Sequence, residues 1–199
     1  MMLVELTSVP PDALPVAGFK DHLRLGSGFS DDGLQDATLE AFLRAAIASI
    51  EARTGKVLIE REFRWTVTTW RDAQRQPLPL APVSAIAEMV QIDRNGTPVP
   101  VAPIRFRLEP DHQRPSVVAV GTCLPAVPRA GKIEMTLMAG FGPEWSDLPA
   151  DLAQAVMLLA AHFYEFRTDA ALHGSSMPFS VTALIERYRT VRLFMGGRS

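Results

Sequence analysis

The sequence has little that would indicate disulfide chemistry, membrane insertion or a strong electrostatic field. Its 199 residues include a single cysteine, Cys123, so neither a disulfide nor a cysteine-based zinc site can form within one chain. The 20 Lys and Arg residues are balanced by 22 Asp and Glu for a formal charge of -2, which disfavours tight nucleic-acid binding through counterion release. The longest apolar run, 155–161, is far shorter than the ~20 residues of a membrane-spanning helix.

A secretory signal is also missing, because no basic segment precedes the first apolar residues and Glu5, Pro10 and Pro11 interrupt them. We therefore expect a protein of the cytoplasm, where a free thiol stays reduced. The setting of Cys123, Val-Gly-Thr-Cys-Leu-Pro, contains no neighbouring base that would activate it. The expected role of Cys123 is that of a small apolar residue, buried or half-buried.

Recognisable catalytic motifs are absent as well. The chain has no glycine-rich phosphate loop, nucleophile elbow, kinase signature or paired-histidine zinc helix, and Gly140-Phe141-Gly142 precedes a proline instead of opening a helix. His162 and Glu165 could share one helix face, but two ligands are too few for a metal. The other histidines lie in unrelated settings, and only a triad assembled from distant positions stays open. We expect no enzymatic activity, no metal and no cofactor.

What the sequence does contain is the composition of a folded protein, with 47% hydrophobic and 21% charged residues. A chain of this length buries about 70% of the surface of its unfolded form, enough for one domain without cross-links. A short amphipathic helix is predicted over 16–25, and a long helix is predicted from Asp32, with Gln35 completing a capping pair, to a stop at Gly55. The apolar stripe of the long helix consists of Leu39, Phe42, Leu43, Ala46, Ile47 and Ile50.

From Phe63 the apolar period changes from 3.6 to 2, which indicates a strand. Asn95-Gly96 predicts a tight hairpin between 86–92 and 99–101, since both residues tolerate positive φ. Further strands are predicted at 104–108, 116–120 and 133–139. Prolines between them keep these strands short.

Helical periodicity returns near Leu148, with Pro149 in the first turn, and this helix is predicted to pack on the long one. A final helix is predicted from Ser180 as N-cap. Its apolar side consists of Val181, Leu184, Ile185 and Tyr188. The predicted fold class is α+β: a helical body of about four helices with a β-rich insert between the second and third helices.

Arginine is concentrated near the C-terminus, which makes that end a candidate contact arm. The arginines are Arg187, Arg189, Arg192 and Arg198. A solvated helix face with a frayed tail would produce the same pattern. Trp70 and Trp145, next to turn-like segments, fit either a core or an interface role.

Short motifs in a fixed order cover about 17–190. They are Phe19-Lys20-Asp21-His22-Leu23-Arg24 followed by Asp31-Asp32, then the segments 45–56, 77–83, 93–96, 138–142, 148–152, 162–167 and 177–181. Together they resemble the head-tail connector, or head-completion adaptor, family of tailed phages and phage-like gene transfer agents. The strongest signature is the end of the long helix, Ile50-Glu51-Ala52-Arg53-Thr54-Gly55-Lys56.

The resemblance implies a homo-oligomeric ring, commonly a dodecamer, at the head-tail junction of a particle assembled in the bacterial cytoplasm. The ring would lie between the portal protein and a stopper or tail-completion protein, and genomic DNA would pass through its lumen without sequence-specific binding. Near-neutral charge suits such a conduit, because a strongly basic lumen would retain the DNA. No membrane partner is implied.

The resemblance also suggests a division of labour within one adaptor domain, 1–199. The helical segments 17–56 and 147–192 would form the ring body and the insert 57–142 a peripheral or tail-facing lobe. The basic C-terminal arm would reach to the portal, while the role of the tail 193–199 stays open. The candidate subunit-interface residues are His162, Tyr164, Arg167 and Phe179. The alternatives are a small-ligand or nucleic-acid-binding module, with the arginines on phosphates, and a head-closure (stopper) protein.

Overall fold

After one N-terminal strand, two helices, a block of strands and two more helices follow one another along the chain, which confirms the predicted α+β class. The structure is a computed structural model that describes residues 2–25, 35–167 and 177–189. The helices in this part are α1 (Val16–His22), α2 (Asp36–Thr54), α3 (Ala150–Glu165) and α4 (Phe179–Ile185). None of these helices has the length and apolar content needed to cross a membrane.

The described strands form two antiparallel sheets. The strands are β1 (Met2–Glu5), β2 (Arg61–Val67), β3 (Arg75–Pro77), β4 (Val83–Ile92), β5 (Pro98–Pro100), β6 (Phe106–Glu109), β7 (Ser116–Ala119) and β8 (Lys132–Ala139). The larger sheet has the order β1-β2-β8-β4-β5, and the smaller has the order β3-β7-β6. Both therefore contain strands that are distant in sequence.

Strand β1 was not predicted. It pairs antiparallel with β2, from Met2 opposite Thr66 to Glu5 opposite Phe63, and forms one edge of the larger sheet. All four of its residues are exposed. Because neither face of β1 is buried, its sequence carries no alternation between apolar and polar residues from which a strand could be recognised.

The helices share one hydrophobic core, in which α2 packs on α3 as predicted. The stripe of α2 is fully buried except for Phe42, which is half-buried. Gly55 ends α2 in the left-handed conformation at φ 70°, and its amide donates to the Glu51 carbonyl. Asp32, the predicted start, lies outside the described residues, and α2 begins at Asp36 without a side-chain cap.

The strands enclose a second core, built on the alternation that predicted β8. Ile133, Met135, Leu137 and Ala139 are buried, with the residues between them half-buried. Phe63, Trp65 and Val67 of β2 point to the same side. The β insert is thus stabilised by its own apolar interior, separate from the helical one.

The two cores meet where the segment 57–60 runs beside the chain leaving β8. The Phe141 amide donates to the Leu58 carbonyl, the Glu60 amide to the Gly142 carbonyl and the Gly140 amide to the Pro82 carbonyl. Gly140 adopts φ 145°, and a Cβ there would lie 2.4 Å from the Glu60 backbone. The Gly-Phe-Gly motif is therefore the junction between helices and sheet.

The predicted hairpin at Asn95-Gly96 is confirmed, although its turn is longer than predicted, whereas the predicted N-cap of the final helix is wrong. The 95–96 hairpin has a five-residue loop, 93–97, in which the Asp93 carboxylate accepts from the Asn95 and Thr97 amides. The final helix begins at Phe179, not after an N-cap at Ser180, since the Pro178 carbonyl already accepts from the Thr182 amide.

Cys123 is exposed, so the prediction of a buried or half-buried thiol was wrong. It lies in a bend after β7, where the next residue, Leu124, is buried and donates its amide to the Ala73 carbonyl. Neighbouring residues in an extended chain point to opposite sides. The larger apolar side chain occupies the core position and directs the thiol outward.

Candidate subunit interface and C-terminal arm

Three of the four candidate interface residues lie together at the C-terminal end of α3. The His162 ring packs on Phe166 with centroids 4.7 Å apart, and the Tyr164 ring meets Phe42 of α2 edge-on at 6.0 Å. The Arg167 guanidinium lies 4.6 Å from the centre of the Tyr164 ring. We call His162, Tyr164, Phe166 and Arg167 the α3-end patch.

This patch combines aromatic surface with a cation, the composition that is enriched at protein interfaces. Phe166 and Arg167 are exposed, while His162 and Tyr164 are half-buried. Phe166 would continue the apolar face of α3, but it lies in the turn that ends the helix. The helix direction is lost there, so the 3.6-residue period no longer places its ring in the core.

Phe179, the fourth candidate, is the first residue of α4 and is 87% exposed. It is the most exposed of the large apolar side chains in the described residues. The segment 168–176, which links the α3-end patch to α4, lies outside the described residues. An exposed phenylalanine at a helix start contributes nothing to the core of its own chain and is available to another one.

The root of the candidate arm is attached firmly to α3. Tyr188 is buried, and its hydroxyl donates to the Asp151 carboxylate at 2.7 Å. Burial raises the pKa of Tyr188, and the hydrogen bond to Asp151 raises it further. Arg187 pairs with the same carboxylate at 2.7 Å and also contacts the Tyr188 hydroxyl.

The four arginines are therefore not equivalent. Arg187 is held by Asp151, and Arg189 pairs with Glu186 at 2.9 Å. Arg192 and Arg198 lie outside the described residues. The structure thus shows internal contacts for the first two.

A buried charge network that sequence reasoning missed connects α2, β2 and β1. Arg61, 7% exposed, donates to both Glu51 oxygens at 2.6 and 2.7 Å and to Glu5 at 3.0 Å. The Leu58 amide donates to Glu51 as well. Burial raises the pKa of Glu51, outweighing the opposing effect of Arg61. This network could not be recognised from the sequence, because Arg61 and Glu51 are ten residues apart and belong to different elements.

Lys56 is a second buried charge, 1% exposed at the junction of the two cores. Its ammonium donates to the Gln113 carbonyl at 3.4 Å. Burial lowers the pKa of Lys56, and the nearby Asp111 partly offsets that effect. The loop 110–115 is thereby held against the helical core.

The remaining candidates do not converge on a reactive group. The ring of Trp70 is half-buried and donates to the Pro125 carbonyl at 2.7 Å, and Trp145 packs against the helical core. The His112 ring stacks on Phe141. His173 lies outside the described residues. Among the residues that the structure describes, no three His, Cys, Asp or Glu side chains are placed to hold a metal ion.

The whole chain is similar to components of gene transfer agent particles. A chain from the neck of an empty particle, computed with C6 symmetry, superposes with a TM-score of 0.89 at 54% identity. A chain from the virion of a native gene transfer agent particle has a TM-score of 0.86 at 54% identity. A third chain, from the neck of a native particle computed with C12 symmetry, has a TM-score of 0.85 at 50% identity.

In all three comparisons the likeness covers 98% of this chain and 99% of the other. It therefore includes both cores and both ends, not a shared subdomain. No protein-family model matches the chain. No curated protein matches it either.

Proposed function

This chain belongs to the head-tail connector family of tailed phages and gene transfer agents, and from that premise we propose that it is the ring adaptor between portal and tail. In this proposal identical copies close a ring, a stopper or tail-completion protein docks on the far side, and genomic DNA passes through the lumen. The protein would act as a structural component, not as an enzyme.

The observation that carries the proposal is the near-complete likeness, at 50–54% identity, to chains in particle necks that were computed with cyclic symmetry. This likeness extends over 98% of the chain. A cyclic ring uses two different complementary surfaces on each subunit. The α3-end patch with Phe179 is our candidate for one of them.

Within the ring we assign the helical segments 17–56 and 147–192 to the body and the insert 57–142 to an exposed lobe. The separate hydrophobic cores of the two parts support this division. A body that is stable by itself can make the ring contacts while the lobe faces another protein.

The direct test is electron microscopy of the purified protein mixed with the portal protein. We expect a closed ring of identical subunits, commonly twelve as in C12-symmetric necks of relatives, stacked coaxially on the portal. Single copies scattered on the portal surface, or binding to the portal's outer rim, would contradict the proposal. Salt-sensitive binding of short duplex DNA without portal binding would favour the nucleic-acid module instead.

Replacing Phe179 with serine is expected to weaken ring closure without affecting the fold. Loss of one buried aromatic anchor at an interface costs about 2 kcal/mol, so rings on portal should require roughly thirtyfold more protein. The matched control is Ile104→Ser, which removes a side chain of similar exposure, 79%, from the β insert. Quantitative ring counting in micrographs checks this, and equal ring yields for the two variants would remove Phe179 from the interface.

Truncation after Arg189 is expected to weaken attachment to the portal by about tenfold, since it removes two arginines that can form charge-assisted hydrogen bonds. The matched control is Arg189→Gln, which breaks only the pair with Glu186 and leaves residues 190–199 in place. Co-sedimentation with the portal at increasing protein concentration measures the affinity of both variants for the portal. Unchanged binding after truncation would disprove the arm hypothesis.

A further inference from the structure

Strand β1 carries hydrogen-bonding groups that its own sheet does not use. The Leu6 amide donates to the Glu62 carbonyl, and in the same register Met2 lies opposite Thr66 and Val4 opposite Arg64. In an antiparallel pair the hydrogen-bonded positions alternate. The backbone N–H and C=O groups of Met2, Val4 and Leu6 therefore point toward β2. The backbone N–H and C=O groups of Leu3 and Glu5 therefore point away from the sheet, toward solvent.

The opposite edge of the same sheet is closed to further pairing. The Val101 amide donates to the Met89 carbonyl and the Asp93 amide to the Thr97 carbonyl, which makes Val99 a bonded position opposite Gln91. The outward positions of β5 are thus Pro98 and Pro100. Neither proline has an N–H, and proline at an edge is a known protection against strand addition.

Both edges of the smaller sheet are blunted too. The outward positions of β3 are Arg75, whose amide is already bonded to the Asp72 carboxylate, and Pro77. In β6 they are Phe106, whose amide is bonded to the Pro103 carbonyl, and Leu108. Among the described strands, β1 is the edge that retains two outward amides in register, at Leu3 and Glu5.

The side chains of β1 match this open edge. Met2, Leu3, Val4 and Leu6 are all exposed, Met2 by 56%. The strand contains no proline, lysine or bulge, the usual means by which an edge is protected. Because its only charged residue, Glu5, is paired with Arg61, a neighbouring strand would meet an apolar, nearly neutral edge.

We propose that β1 is a docking edge for an extended apolar segment of the stopper or tail-completion protein, which adds to the larger sheet as a sixth strand. Pairing of β1 with β1 of a second copy needs a two-fold axis, and adjacent copies in a closed ring of twelve are not related by one. This step rests on the proposed function. The edges of β3, β5 and β6 offer at most one free outward amide each, which disfavours their pairing with β1 of another copy.

Backbone pairing determines what the partner must provide. Strand addition uses main-chain hydrogen bonds for affinity and alternate side chains for specificity. The incoming segment needs at least three residues without proline at the positions opposite Leu3 and Glu5, and apolar side chains toward Leu3 and Val4.

The test compares amide hydrogen exchange of residues 2–6 in three samples: the isolated protein, the ring on the portal, and the whole particle. We expect the Leu3 and Glu5 amides to exchange rapidly in the first two and about a hundredfold more slowly in the particle. Protection that is already complete in the portal-bound ring would assign the edge to a second copy or to the portal and overturn the proposal. Rapid exchange in the particle would also overturn it.

A pair of variants isolates the backbone contribution. Leu3→Pro removes an outward N–H and no bond within the chain, whereas Leu3→Thr keeps the N–H in a good strand former. Particles with Leu3→Pro are expected to carry tails about tenfold less often than those with Leu3→Thr, with rings on portal at equal yield. Equal tail attachment would contradict the docking edge, while failure of the wild-type protein to form rings would count against the proposed function alone.

Discussion

Gly140→Ala is expected to destabilise the protein by about 2–6 kcal/mol, the sum of overpacking and backbone strain. At φ 145° an alanine is strained whatever space surrounds it, and its Cβ would lie 2.4 Å from both the Cα and the amide nitrogen of Glu60. These are backbone atoms in the segment that joins the helical core to β2. They cannot move without breaking the hydrogen bonds of Phe141 to Leu58 and of Glu60 to Gly142.

Urea unfolding followed by far-ultraviolet circular dichroism measures this effect. The matched control is Gly121→Ala, at a position where an added Cβ meets nothing within 4 Å. We expect the control to be within about 0.5 kcal/mol of the parent protein, as at most surface positions. Equal stability of the two variants would contradict the close packing of Gly140 against the Glu60 backbone.

Arg61→Met is expected to cost about 3–5 kcal/mol, because it leaves the buried Glu51 carboxylate without its cation. Arg61 joins three elements through two contacts to Glu51 and one to Glu5. The matched control is Arg75→Met, which breaks an ion pair of equal length, 2.6 Å to Glu109, at the surface. Exposed pairs contribute about 0–1 kcal/mol, so a similar loss in both variants would contradict the burial argument.

The pH dependence of this loss has a definite sign. Burial raises the pKa of Glu51 even with Arg61 present, and removing Arg61 removes an influence that lowers it. A carboxyl group whose folded pKa is raised favours the folded state below its ordinary pKa and loses that advantage as the pH rises through the raised value. The deficit of Arg61→Met is therefore expected to be smaller at pH 5 than at pH 8.

A second substitution completes the test. In Arg61→Met with Glu51→Gln the buried charge is gone while the Leu58 amide keeps its acceptor. We expect the double variant to recover part of the stability and to lose the dependence on pH in this range. Double-mutant-cycle analysis of urea unfolding would give the coupling between the two residues. A coupling near zero would mean that the ion pair does not stabilise the fold.

Much of the fold was predictable because the spacing of apolar residues within a single helix or strand shows which of its faces is buried. The stripe of α2 and the alternation of β8 each fix an orientation relative to a core, and both predictions were confirmed. Turns were less predictable: the Asp93 carboxylate enlarged the predicted tight hairpin, and Pro178 displaced the predicted cap at Ser180. In both, a local hydrogen bond decided between geometries that the residue types allow equally.

The candidate site was predictable only as a set of residues. The α3-end patch consists of two contacts, His162 with Phe166 and Tyr164 with Arg167, whose spacings of four and three residues are visible in the sequence. The internal pairing of Arg187 with Asp151 was not foreseeable, since it joins residues 36 positions apart. It separates the root of the arm from the arm itself.

The sequence by itself determined the α+β class, the position of the β-rich insert between the second and third helices and, through ordered motifs, the connector family, because these depend on local periodicity and on residue identity. Only the tertiary structure decided which charges are buried together, as with Arg61 and Glu51, and which strand edges are open. Burial and edge pairing are properties of neighbours distant in the chain. For the same reason β1 could be recognised as a candidate docking edge only from its register with β2, which shows which of its backbone groups point outward.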